Sequence, residues 1–109
     1  MAYDEGLAER VRDILIDTEG VTEKKMFGGL AFMVNGNMTV AVSEERLMLR
    51  VGKEKYEEYL ALPGAHEMDF TKRPMKGFLF IYEGGYEADE DLREWIGRAM
   101  EFVQTLPRK

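Results

Sequence analysis

Cysteine is absent from the 109-residue sequence, and histidine occurs once, at His66. Those two facts exclude disulfides, thiolate nucleophiles and thiolate zinc sites, and leave too few imidazoles for a histidine metal cluster. No apolar run approaches the roughly 20 residues of a membrane-spanning helix. The opening residues, Met1-Ala2-Tyr3-Asp4-Glu5, carry acid rather than base and lead into no apolar segment, so the sequence predicts neither a secretory leader nor a transit peptide and points to the cytoplasm. Cations are outnumbered, with Lys and Arg at 15 against Asp and Glu at 21 and a net charge of -6. Such a balance repels polyanions over most of the surface.

What is present reads as a soluble globular chain. Hydrophobic residues at 45% and charged residues at 33% are ordinary proportions, and the length suits a single domain over residues 1–109 that buries about two-thirds of its unfolded surface. The sequence is organised around Lys24 to Val42, KKMFGGLAFMVNGNMTVAV. Leu30-Ala31-Phe32-Met33-Val34 is apolar throughout, as in a strand covered on both faces. Gly28-Gly29 ahead of it offers a bend or a close approach of another backbone. Asn35-Gly36-Asn37 is a turn signal, since both residue types tolerate left-handed conformations. Reading all three as the loop, with Asn37 as a left-handed bulge residue, sets Val34 opposite Met38. Leu30, Phe32 and Val34 then share a face with Met38, Val40 and Val42.

The flanking segments supply cover. Asp4 to Thr18 has Leu7, Val11, Ile14 and Leu15 at helical spacing, with Asp4 as N-cap and Gly20 after the end; Arg10, Arg12, Asp13 and Asp17 fall on its solvated side. A four-residue turn, Ser43 to Arg46, pairs Val42 with Leu47 and continues the apolar face into a strand from Leu47 to Val51. Lys53 to Leu62 reads as a short helix, Pro63-Gly64 ends it, His66 falls in a connection, and Met68-Asp69-Phe70 reads as a short edge strand. Phe78 to Tyr82 is an aromatic and β-branched strand. Glu83-Gly84-Gly85 turns the chain into a helix from about Glu90 to Thr105, with Leu92, Trp95, Ile96, Ala99, Phe102 and Val103 on one stripe. The expected fold is α+β, one antiparallel sheet with the N- and C-terminal helices on one face.

Catalytic signatures are lacking. Gly28-Gly29 has neither the lysine nor the spacing of a phosphate loop, and no serine sits in a nucleophile elbow. Carboxylates such as Glu44/Glu45 and Glu57/Glu58 are adjacent, so local geometry points them apart. The expectation is a non-enzymatic chain without a cofactor or metal.

Taken together, Lys25-Met26-Phe27-Gly28-Gly29, the Asn35-Gly36 turn, Leu49-Arg50-Val51-Gly52, Arg73-Pro74-Met75-Lys76-Gly77 and the Leu92/Trp95 helix resemble the TfoX/Sxy N-terminal domain. The resemblance spans nearly the whole sequence. Its namesakes are bacterial regulators of competence for DNA uptake that carry a second, C-terminal domain, and the present sequence reads as the N-terminal domain alone. The resemblance implies the fold and a regulatory setting, and carries no catalytic residue with it.

Two functions follow as expectations. The first is a regulatory or protein-interaction module. The alternative is a small-molecule-binding protein or enzyme that uses the Lys24, Lys25, Arg73 and Lys76 cations. Lys24, Lys25, Phe27, Gly28, Gly29, Arg73 and Lys76 are the candidate binding residues. A homodimer is expected because Ala31, Met33, Ala41, Met48 and half of the Phe78 to Tyr82 run would lie on a second, open apolar face. Specific DNA binding is not expected, since the basic residues are scattered among more numerous acids and sit on no helix patterned for a major groove.

Overall fold

A computed structural model describes residues 3–26, 29–67 and 77–107 of the chain. Helix α1 (Glu5–Ile14) starts where its cap predicts: the Leu7 amide donates to Asp4 Oδ1 at 3.2 Å. Leu7, Ala8 and Val11 form its buried stripe. The Asp4 amide donates to the Glu44 carbonyl at 2.8 Å, which ties the start of the chain to a distant turn.

Six strands follow in one antiparallel sheet: β1 (Val21–Met26), β2 (Gly29–Val34), β3 (Asn37–Ser43), β4 (Arg46–Arg50), β5 (Ala65–Glu67) and β6 (Phe78–Ile81). Their spatial order is β1-β2-β3-β4-β6-β5. Between β4 and β5 lies the short helix α2 (Tyr56–Leu60), and after β6 come α3 (Glu83–Tyr86) and α4 (Asp89–Val103). The first turn of α4 carries Asp89, Glu90 and Asp91, where the positive end of the helix dipole favours acid.

The apolar register agrees with the expectation in the body of the sheet: Leu30 opposes Val42, Phe32 opposes Val40, Val40 opposes Leu49 and Val42 opposes Leu47. The turn between β2 and β3 differs from the expected three-residue loop. Val34 opposes Asn37, and only Asn35 (φ 53) and Gly36 (φ 83) are left-handed, so the loop has two residues. A two-residue loop alone would move the apolar set to the wrong face; a shift beyond it, with Met33 opposite Met38 but Phe32 opposite Val40, leaves Thr39 as an extra residue and restores the register. Met38 consequently joins Met33 on the second face rather than Val40 on the first. The next turn is also tighter than expected, closing at Ser43–Arg46 around a left-handed Glu44 (φ 56).

Three further corrections concern the ends of the sheet. β1 is a strand that its polar sequence conceals. His66 lies in edge strand β5 rather than in a connection, while the strand expected at Met68-Asp69-Phe70 falls outside the described residues. Glu83-Gly84-Gly85 is the body of α3 rather than a plain turn.

All four helices contribute to one core on one face of the sheet. Phe32, Val40, Val42, Leu47, Leu49, Leu79 and Ile81 are packed there under Val11, Tyr59, Leu92, Trp95 and Ile96. On the other face a smaller cluster contains Ala31, Ala41, Met48 and Phe80, all buried within the single chain, with Met33, Met38 and Phe78 partly buried around them. The open apolar surface from which a homodimer is expected is therefore not present at Ala31, Ala41 and Met48. Among the described residues, no helix is long and apolar enough to cross a membrane.

Candidate functional site

Lys24 and Lys25 are exposed on β1, at one edge of the sheet. Lys24 opposes Ala31, a member of the second-face cluster, whereas Lys25 opposes Leu30, which belongs to the helix-side core. Adjacent strand residues point to opposite faces, so these two cations diverge and do not form one pocket. Gly29 opens β2 and packs so closely on β3 that a Cβ there would run into the Val42 carbonyl oxygen. Close backbone approach is the reason for glycine at this position. Phe27, Gly28, Arg73 and Lys76 lie outside the described residues.

The strand register brings together a different set. Thr22 and Lys24 on β1 share the second face with Ala31 and Met33 on β2. Across it lie Ala41, Met48 and Phe80, and the two neighbours of Met48 on the same side of β4 are Arg46 and Arg50. His66 on β5 opposes Phe80. Among the described residues of the strands, the second-face positions hold no carboxylate: Glu23 turns to the helix side, where it pairs with Arg12, and Glu67 opposes Leu79 of the helix-side core. Acid is concentrated on the helices, with Glu5, Glu9 and Asp13 on α1 and Asp89, Glu90, Asp91, Glu94 and Glu101 on α4. A chain of net charge -6 thus carries a sheet face on which, among the described strand residues, cations stand without acids.

At the β4–β6–β5 side of that face the guanidinium of Arg46 sits 4.0 Å over the ring of Phe80. Its Nη1 donates weakly to Tyr82 Oη at 3.4 Å, and its Nε is shielded from solvent with no acceptor. The His66 and Tyr82 rings lie 4.6 Å apart, and Tyr82 is 43% exposed. Arg50, at the end of the strand, lies 5.9 Å from the Phe78 ring and 5.7 Å from Phe102. Sequence reading missed Arg46 because it took the residue as part of a turn. The signal was there in the alternation Arg46, Met48, Arg50 against Phe78, Phe80, Tyr82.

The titratable groups that are perturbed lie elsewhere. Hydrogen bonds from Arg12 hold the Glu23 carboxyl below its usual range and raise the Arg12 guanidinium in turn. Burial pushes the Tyr56 and Tyr86 phenols up. Tyr86 is structural, since its hydroxyl donates to the Glu45 carbonyl at 2.5 Å while Arg10 Nη2 reaches the Tyr86 and Glu87 carbonyls at 3.0 and 3.1 Å and Asp89 Oδ1 at 2.9 Å. Arg10, read from sequence as merely solvated, clasps α1 to the start of α4. Among the described residues no three metal-ligating side chains converge.

No curated protein matches the chain. The family model of the TfoX N-terminal domain matches residues 13–103, a span that runs from the end of α1 through the whole sheet to the end of α4, and the chain belongs to the TfoX N-terminal domain family.

Proposed function

We propose that the protein is a non-enzymatic regulatory module that works by binding another protein through the second face of its sheet. The observation that carries this reading is the segregation of charge. Lys24, Arg46 and Arg50 stand on a face whose described strand positions hold no carboxylate, in a chain that is acidic as a whole. Met48 and Phe80 are buried within the chain, so what that face offers a partner is its rim of cations with Tyr82 and His66; Arg and Tyr are enriched among residues that dominate interface energies. Complementary potential then selects the partner and speeds encounter. Family membership supports the regulatory half of the reading, and the divergence of Lys24 and Lys25 weighs against the alternative of a small-molecule site built on both.

Site-specific photocrosslinking tests it. A crosslinker replacing Thr22, beside Lys24 on the same face, should capture a defined protein partner in cells, and one replacing Asp13 on α1 should not. Capture from Asp13 alone would place the interaction on the helices and overturn the reading.

A further inference from the structure

We infer that Arg46, Tyr82 and His66 form an anchor for a carboxylate-bearing segment of a protein partner, with Arg46 receiving the carboxylate and the Tyr82/His66 ring pair receiving the apolar side chain next to it. The inference rests on the interaction-module reading and adds the chemistry of the partner.

Four observations converge on this corner. The Arg46 Cζ stands 4.0 Å from the centroid of the Phe80 ring, which holds the guanidinium at this corner of the face. The terminal donors are nearly idle: among the described residues their hydrogen bond is the long 3.4 Å contact from Nη1 to Tyr82 Oη, while Nε is shielded from solvent and leaves the outer nitrogens as the groups a ligand can reach. No described carboxylate pairs with Arg46, although Glu44 and Glu45 precede it directly, whereas Arg10, Arg12 and Arg98 each have an acidic partner. Beside it, Tyr82 and His66 expose a pair of rings in contact at 4.6 Å. A cation stacked on an aromatic, with no anion beside it among the described residues, is an unfinished ion pair. Arg recognises carboxylates in a bidentate manner through such a fork.

The same geometry argues for a peptide carboxylate over a nucleic acid. Polyanion binding needs several cations that track successive phosphates, and here Lys24 and Arg46 stand on β1 and β4, with two strands between them. Arg46 is a single point of anchorage with an apolar shelf next to it. One carboxylate flanked by an aromatic or aliphatic side chain satisfies both parts.

The test is a titration of the nitrogen-labelled full chain, read at the Arg46 Nε–H resonance and assigned by its disappearance in Arg46→Lys. The probes are an acidic peptide of alternating glutamate and phenylalanine, inorganic phosphate and a thymidine oligonucleotide. The peptide should shift the Arg46 signal saturably together with Tyr82 and His66, and Arg46→Lys and Tyr82→Ala should each weaken it by about tenfold, the loss of one interface anchor. A silent Arg46 signal, or tighter binding of phosphate or the oligonucleotide than of the peptide, overturns the inference. Partner capture from position 22 alongside a silent Arg46 would remove this anchor while leaving the interaction module in place.

Discussion

The two faces of the sheet are built from alternate residues of the same strands, yet they are filled differently. Toward the helices the strands present Phe32, Val40, Val42, Leu47 and Leu49; away from them they present Ala31, Ala41 and Met48, with Lys24, Arg46 and Arg50 nearby. Bulky, branched side chains with few rotamers specify one packing. Alanine and methionine leave a flatter and more adaptable surface. The contrast teaches that the first face holds the fold together while the second can vary its cations at little structural cost.

The largest effect that should test this division is Leu49→Ala. Leu49 is fully buried under the helices, so urea denaturation should show a loss of about 2 to 5 kcal/mol, and Met48→Leu on the opposite face should lose less than about 1.5 kcal/mol. Equal losses would erase the contrast. Gly29→Ala comes next: its methyl group would collide with the Val42 backbone, and overpacking of this kind costs about 1 to 3 kcal/mol, visible as a lower denaturation midpoint. Arg10→Met keeps the aliphatic stem but loses the hydrogen bonds to the Tyr86 and Glu87 carbonyls. It should cost about 1 to 2 kcal/mol, with faster amide exchange at the start of α4.

A smaller effect depends on pH. Arg12 donates to both Glu23 carboxylate oxygens, at 2.7 and 2.9 Å, and depresses its pKa. A carboxyl depressed in the folded state contributes stability that is complete above its unfolded pKa, near 4.3 to a rough approximation, and is lost as pH falls through the folded value. Glu23→Gln should flatten that acid-side loss. The side chains are 46% and 36% exposed, so solvent screening keeps the difference below about 1 kcal/mol; stability curves measured across the acid range would reveal it. Smallest of all, Lys24→Glu should change stability by no more than about 0.5 kcal/mol while abolishing partner capture by a crosslinker placed next to it at Thr22. A large loss of stability would mean that Lys24 belongs to the fold.

Much of the sheet was legible because its central strands are apolar runs bounded by turn signals. Phe32, Val40 and Leu49 could be aligned across two turns, and the wide apolar stripe of α4 announced itself. The β2–β3 turn was misread in detail since the Thr39 bulge compensates a one-residue difference in loop length, and a compensated error leaves no trace in the apolar pattern. β1 escaped notice because VTEKKM sits at the sheet edge with Thr22 to Lys25 all exposed, where hydrophobic alternation is not required. Of the candidate site, Lys24 and Lys25 were grouped as one cationic set, which ignored strand alternation: the register puts them on opposite faces. Arg46 was hidden by its position next to the turn: only the extra Ser43–Arg46 pair sets it on a strand and gives its side chain a face.

The strand order has a consequence for synthesis. β1 to β4 are neighbours both in sequence and in space, so their hairpins close over short loops and can form early. β6 reaches β4 only after α2 and β5 have been made, and α4 arrives last of all. A nascent chain released as far as Arg50 would hold a four-stranded meander whose Phe32, Val40 and Leu49 have α1 as their one helical cover, with β4 presenting a free edge. Such an intermediate is prone to self-association, and ribosome-bound chains stalled just after β4 should recruit chaperones that chains stalled beyond α4 no longer need.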